Sequence, residues 1–471
     1  MLFNSEIYLI FLPVVVGINW ALPARIRPAF LLLASYVFYA WWSAPFLLLV
    51  VGLTAVNYGI GWLQGRRPER DKRLLILAVV VNLGALAAFK YVGLLDETAR
   101  SLARVLGLPD VPVIHALLPL GLSFFAFEFI HYQFDVWKGG EPIVNPVRFA
   151  LFPAFFPTQI AGPIKRYQDF DAQVRRRPRW DSVMALEGVE LIALGLFKKV
   201  VLGDMFMRQA ADPVFASLGS ATSVDVWIGM LAFYGQLYFD FSGYTDIGRG
   251  SAQLLGYRVP RNFDAPYLAS SFQDFWRRWH MSLSSWIRDY IYFPLGGSRL
   301  GLPRTRLNTL IAMALAGLWH GAAWHFVAFG LVGGAGILAD RFLQRVLWSR
   351  PGLPPAVSLL GGWAFTQGVW LLMLAFFRAP TSIAAIWVWW KMVPLDLHRN
   401  VVTAFQLIDV PLILAALLLM QIGVRRFSPR ELIADMRISL FLRPAYVTSL
   451  MSLFLFFFTF GASTRFIYFQ F

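Results

Sequence analysis

The sequence predicts an all-helical protein that crosses a membrane many times, on three observations. Of its 471 residues, 58% are hydrophobic and only 15% are charged, where a soluble domain carries about a quarter charged. The apolar residues come in blocks close to the ~20 that a helix needs to cross a bilayer. No polar interval between the blocks is long enough to bury a core of its own, so one membrane domain over 1–471 is expected.

The blocks run along the whole chain: Ile7–Leu22, Ala29–Trp41, Phe46–Leu63, Leu74–Tyr91, Val113–Phe129, Phe149–Gly162, Ala185–Val201, Val226–Phe241, Leu307–Leu338, Val357–Phe377, Pro411–Gly423 and Tyr446–Phe460. Several are too short, or too broken by Gly and Pro, to be simple crossings. The first run has neither a basic n-region nor a small-residue cleavage site, so it reads as a span and not as a signal peptide. In ASYVFYAWW, 34–42, the terminal aromatics suit a membrane interface.

A net charge of +15 raises the question of nucleic acid. The basic residues fall in short loops between spans, at Arg25–Arg27, Arg66–Arg73, Lys165–Arg179 and Arg425–Arg443. The positive-inside bias accounts for such loops, and no nucleic-acid partner is expected. By the same rule the first residues, MLFNSE, face outward. Cysteine is absent, which excludes disulfides, Cys-based zinc sites and any acyl carrier on a protein thiol.

FPAFFPTQIAGPIKRY breaks an apolar stretch with Pro153, Pro157, Gly162 and Pro163. Broken helix is tolerated at membrane depth only where protein or a watery cavity satisfies the freed backbone groups. The basic residues on both sides, Lys138 and Arg148 before and Lys165 and Arg166 after, suggest re-entry from the cytoplasmic face. Glu128, His131 and Asp135 lie close together just upstream.

Four stretches could carry chemistry. DFWRRWHMSLSSWIRDYIYFPLGG, 274–297, reads as one amphipathic helix ended by Pro294, Gly296 and Gly297, with Trp276, Trp279, His280, Leu283 and Trp286 on its apolar side and arginines opposite. LAGLWHGAAWHF, 315–326, puts His320 inside an uncharged run, where an ionisable residue defaults to function. Small residues around it fit either a substrate channel or a close helix crossing. On a continuous helix His325 lies about 140° round from His320, so the two do not converge on a metal. HExxH is also absent, and no metal site is expected. QLYFDFSGYTDIGRG, 236–250, supplies Asp240 and Asp246, with Arg249, Arg258 and Arg261 near enough to pair; structural pairing and a role in a cavity both stay open for these aspartates. The end, FIYFQF, is aromatic. GxSxG, GxxxxGK[ST] and GxGxxG signatures are missing.

Taken together, ASYVFYAWW, FPTQIAGPIKRYQDF, QLYFDFSGYTDI, DFWRRWHMSLSSWIRDYIYFPLGG, GLWHGAAW and FIYFQF resemble the membrane-bound O-acyltransferases, in family order from residue 34 to the last. They are most similar to the bacterial branch of alginate O-acetylation and teichoic-acid D-alanylation. The resemblance implies a ring of about eleven spanning helices with re-entrant segments around a central tunnel, with a core over roughly residues 113–338. It implies that His320 is catalytic and that His280 is its companion in the same cavity. Trp319, Asp240, Asp246 and Trp276 become candidates for the tunnel lining or the substrate site. The donor implied is acetyl-CoA, with no bound cofactor. Tyr468 is the implied acyl carrier toward a periplasmic SGNH-type partner, which modifies an exopolysaccharide such as alginate outside the bacterial inner membrane. A transporter or flippase of an acyl- or lipid-linked species would use a similar polar tunnel, and an acyltransferase with another secreted acceptor would use the same chemistry.

Overall fold

The structure is a computed structural model. It describes residues 1–455 apart from 68, 109–118, 161, 351, 395, 397, 427–443 and 445. Helices make up the architecture, and the described residues contain no strand. Among them five helices are long and apolar enough to cross a bilayer: Ala44–Arg66, Lys72–Val105, Trp324–Trp348, Pro355–Arg378 and Ala404–Gly423. Shorter apolar helices cover Glu6–Ala21, Arg27–Ala40 and Tyr446–Leu455. The all-α, multi-pass expectation is met, although several of the expected blocks form shorter or broken helices.

The chain divides into two compact units, Met1–Ile192 with Thr245–Pro260, and Ala193–Tyr244 with Arg261–Phe471. In the first, the spans Ala44–Arg66 and Lys72–Val105 are joined by a reciprocal amide pair. Asn57 donates to Asn82 at 3.2 Å and Asn82 donates back at 2.9 Å, while Gln133 donates to the Asn57 carbonyl at 2.6 Å. Amides buried among apolar helices bind them together because each satisfies the other.

The proline-broken stretch also lies in the first unit. Its helix Pro146–Ala154 contains Pro153, ends one residue later and turns at Phe155, and the Phe156 N–H finds the Ser35 hydroxyl at 3.1 Å. Lys165, expected in an exposed basic loop, is instead buried and donates to both Glu128 oxygens at 2.9 and 3.2 Å. A lysine and a glutamate this deep can coexist only as a pair. His131 lies on the same helix as Glu128. It donates through Nδ1 to the Phe127 carbonyl at 3.2 Å, and Asp135 accepts from Gln168 at 2.9 Å.

In the second unit the uncharged run from Leu307 does not form one helix. Helix Gly301–His320 ends at His320, three residues turn, and helix Trp324–Leu343 follows. The two pack back on each other through glycine. A Cβ on Gly317 would meet the Phe326 carbonyl, and one on Gly330 would meet the Met313 carbonyl. The small residues near His320 therefore serve a close helix crossing, the second of the two uses the sequence allowed.

This crossing generates a prediction. Gly317→Ala and Gly330→Ala each force backbone against a methyl group, so each should lower stability by at least ~1–3 kcal/mol. Gly84→Ala, whose Cβ would meet nothing within 4 Å, should be neutral or slightly stabilising. Thermal unfolding of the detergent-purified variants, followed by size-exclusion chromatography, tests the contrast.

Candidate functional site

Four of the sequence-predicted residues, His280, His320, Trp319 and Asp240, converge on one region of the second unit. His320 is the last residue of its helix, and its neighbour Trp319 lies between the two histidines. The Trp319 ring is 4.9 Å from the His320 ring and 5.9 Å from the His280 ring. All three residues are buried. Phe241 closes the far side of His280, edge to face at 4.6 Å, and Phe329 and Phe377 flank His320 at 5.5 and 5.2 Å.

His280 does not sit on a continuous amphipathic helix, as the sequence led one to expect. One short helix, Phe272–Arg278, ends before it and another, Met281–Ile287, begins after it. His280 itself has φ 42° and ψ 53°, a left-handed conformation that costs a non-glycine residue about 1–3 kcal/mol. The strain is held by Asn262, which the sequence did not single out. The Asn262 carbonyl accepts from Met281 N–H at 3.0 Å. Its side-chain oxygen accepts from the Ser282 hydroxyl at 2.7 Å and the Ser282 N–H at 3.3 Å. Asp264 N–H adds a bond to the Arg278 carbonyl at 3.0 Å. The signal was present only as an asparagine eighteen residues upstream of the break, a separation no local pattern connects.

His280 lies outside the five candidate spans. Burial pulls its imidazole down from the ordinary 6.5 to about 3, which keeps the ring neutral near pH 7. Among the described residues neither ring nitrogen meets a hydrogen-bond partner, so both stand available to a bound molecule.

Asp240 is one residue from Phe241, yet its carboxylate is engaged by Lys199. Lys199 also donates to Asp204 at 2.8 Å. All three are buried, and the lysine stands on the π-helical stretch Phe197–Met207. The three form a buried ion cluster, in which Asp240 is the neighbour in sequence of the ring that packs on His280. Asp246 belongs to the first unit and faces Arg249 at 3.4 Å, one of the three arginines anticipated for it. Trp276 packs against Trp370, ring centres 6.0 Å apart, and Trp370 in turn lies 6.2 Å from Phe329. Trp276 is thus linked to His320 through two intervening rings. Tyr468 lies outside the described residues.

A cluster of buried neutral imidazole, a second imidazole at a helix end and an indole N–H suits proton transfer to and from an oxygen or sulfur atom. Known proteins are similar to this chain in sequence. The model of the membrane-bound O-acyltransferase family matches residues 142–377, which contain both histidines. The probable alginate O-acetylase AlgI of Azotobacter vinelandii is 38% identical over 92% of this chain and 87% of its own length. The peptidoglycan O-acetyltransferase of Helicobacter pylori is 32% identical over 84% of this chain and 80% of its own. The teichoic acid D-alanyltransferase of Bacillus subtilis is 28% identical over 51% of this chain and 63% of its own.

The strained break predicts an unusual substitution pattern. Asparagine tolerates the left-handed region and a β-branched residue does not, so His280→Asn should unfold near the wild-type temperature and His280→Val well below it. Asn262→Ala, which leaves the Ser282 donors without their acceptor, should cost about 1–3 kcal/mol. The His280 pKa is lowered in the folded state, so its contribution to stability is full above pH 6.5 and is lost as pH falls toward 3. Thermal unfolding across that range should show a shallower acid slope in His280→Asn than in wild type.

Proposed function

The chain belongs to the membrane-bound O-acyltransferase family, and from that premise we propose that it carries an acetyl group from cytoplasmic acetyl-CoA to the outside for O-acetylation of an exported polysaccharide such as alginate. The observation that carries the reading is the placement of His320 and His280 around one indole, both buried, one at a helix end and one at a strained break.

In this reading His320 is the base. It takes the proton of the accepting hydroxyl as that oxygen attacks the thioester carbonyl. It then returns the proton to the sulfur as the carbon–sulfur bond breaks and CoA leaves as a thiol. The carbonyl oxygen gains negative charge on the way. Donors within the same cluster are the Trp319 indole N–H and His280, in the tautomer that presents an N–H. Phe241, Phe329 and Phe377 keep water from the imidazoles, which strengthens each of these interactions.

The accepting hydroxyl of the first transfer is that of Tyr468, and a periplasmic SGNH-type partner takes the acetyl group onward. The names of the alginate and peptidoglycan relatives support a polysaccharide as the final acceptor. The proposal includes a single membrane domain over 1–471, its helices ringed around a tunnel, seated in the bacterial inner membrane.

Purified protein exposed to isotope-labelled acetyl-CoA should gain a label on its terminal peptide. His320→Ala should reduce the labelling rate by ~10²–10⁴, the span of a general base, and Tyr468→Phe should abolish the label there. Label that persists elsewhere in Tyr468→Phe would move the carrier to another residue, and labelling undiminished in His320→Ala would remove His320 as the base.

A further inference from the structure

We infer that His325 is a positioning residue that holds the Phe377 ring against His320 by tying down the end of the helix that carries it. The inference rests on the reading of His320 as the base.

His325 is the second residue of the helix Trp324–Leu343 and is buried. Its Nδ1–H donates to the Phe376 carbonyl at 2.8 Å. A carbonyl can only accept, so this bond fixes the tautomer with the proton on Nδ1. Phe376 lies in the last turn of helix Pro355–Arg378, where carbonyls lack a following helical N–H and must be satisfied from outside. His325 therefore closes the carboxyl end of one helix from the amino end of another.

The residue after Phe376 is the one that touches His320. The Phe377 ring meets the His320 ring at 5.2 Å and 71°. It also packs on Phe326 at 5.5 Å and Phe329 at 5.2 Å. The Phe326 ring, tilted against His325 with 4.2 Å between centres, limits how far the imidazole can swing off the carbonyl. One chain of contacts thus runs from His325 through the helix end to Phe377 and on to His320. Loss of the Phe376 bond loosens the terminal turn, which Arg378 still ties to Asp212, and the aromatic next to the lost bond is Phe377, one of the rings against His320.

The test uses the full-length protein in detergent micelles, with diethyl pyrocarbonate as a probe of the His320 imidazole and acetyl transfer as the second readout. In His325→Leu the rate of His320 modification, read by peptide mass spectrometry, should rise several-fold. The transfer rate should fall ~10- to 100-fold, as small misplacements of reacting groups do, with KM for acetyl-CoA unchanged. His325→Asn, whose amide N–H can reach the same carbonyl, should restore both. In a Phe377→Leu background, His325→Leu should add nothing further.

Equal effects of His325→Leu and His325→Asn, or additive effects with Phe377→Leu, would overturn the inference. Should His325→Leu fail to fold, Phe377→Leu alone decides: an unchanged His320 modification rate rules the inference out. Undiminished transfer in His320→Ala would refute the base assignment only, because the chemical probe still reads the His325–Phe377 link.

Discussion

The second unit depends on how closely two helices can approach. Gly317 and Gly330 let backbone lie on backbone, and the helix ending in His320 and the one beginning at Trp324 fold back on each other as a result. The ending of the first helix is what turns His320 from a midpoint of a long apolar rod into a terminal residue. A mid-helix imidazole would be ringed by its own neighbours at one turn up and down. A terminal one projects past its helix and meets rings from elsewhere, here Phe329 and Phe377.

His280 reaches the same neighbourhood by an opposite device. Where glycines relax a crossing, His280 accepts backbone strain, and Asn262 with its three hydrogen bonds compensates for it. Pre-organisation of this kind costs stability and gives orientation. Main-chain geometry thereby places both imidazoles, one at a helix end and one at a left-handed break. Beside them Asp240 and Asp204 share one cation, Lys199.

Much of this was legible in the sequence and some was not, for physical reasons. Length and spacing of apolar runs pointed to a multi-pass helical protein because hydrocarbon leaves backbone few options. His320 stood out because a polar ring in an uncharged run needs a reason. The break after it did not stand out, since GAAW lacks proline and alanine favours helix; the turn is imposed by tertiary packing. The break at His280 was similarly hidden. Period alone laid 274–297 on one helix, and the partner that bends it is an asparagine in a separate loop. Lys165 misled in a different way: in a row of basic residues it resembled a solvated charge, and only the structure joins it to Glu128, 37 residues earlier.

That last separation has a consequence for how the protein is made. A chain emerging from the ribosome at ~5–20 residues per second presents Glu128 roughly 2–7 seconds before Lys165. During that interval the carboxylate has no counterion, and burying it uncompensated is strongly unfavourable. Burial of a charged Glu128 therefore needs the segment beyond Pro163, which carries Lys165. The ion pair thus makes the charged burial of Glu128 contingent on a residue 37 positions later, on the far side of the broken stretch.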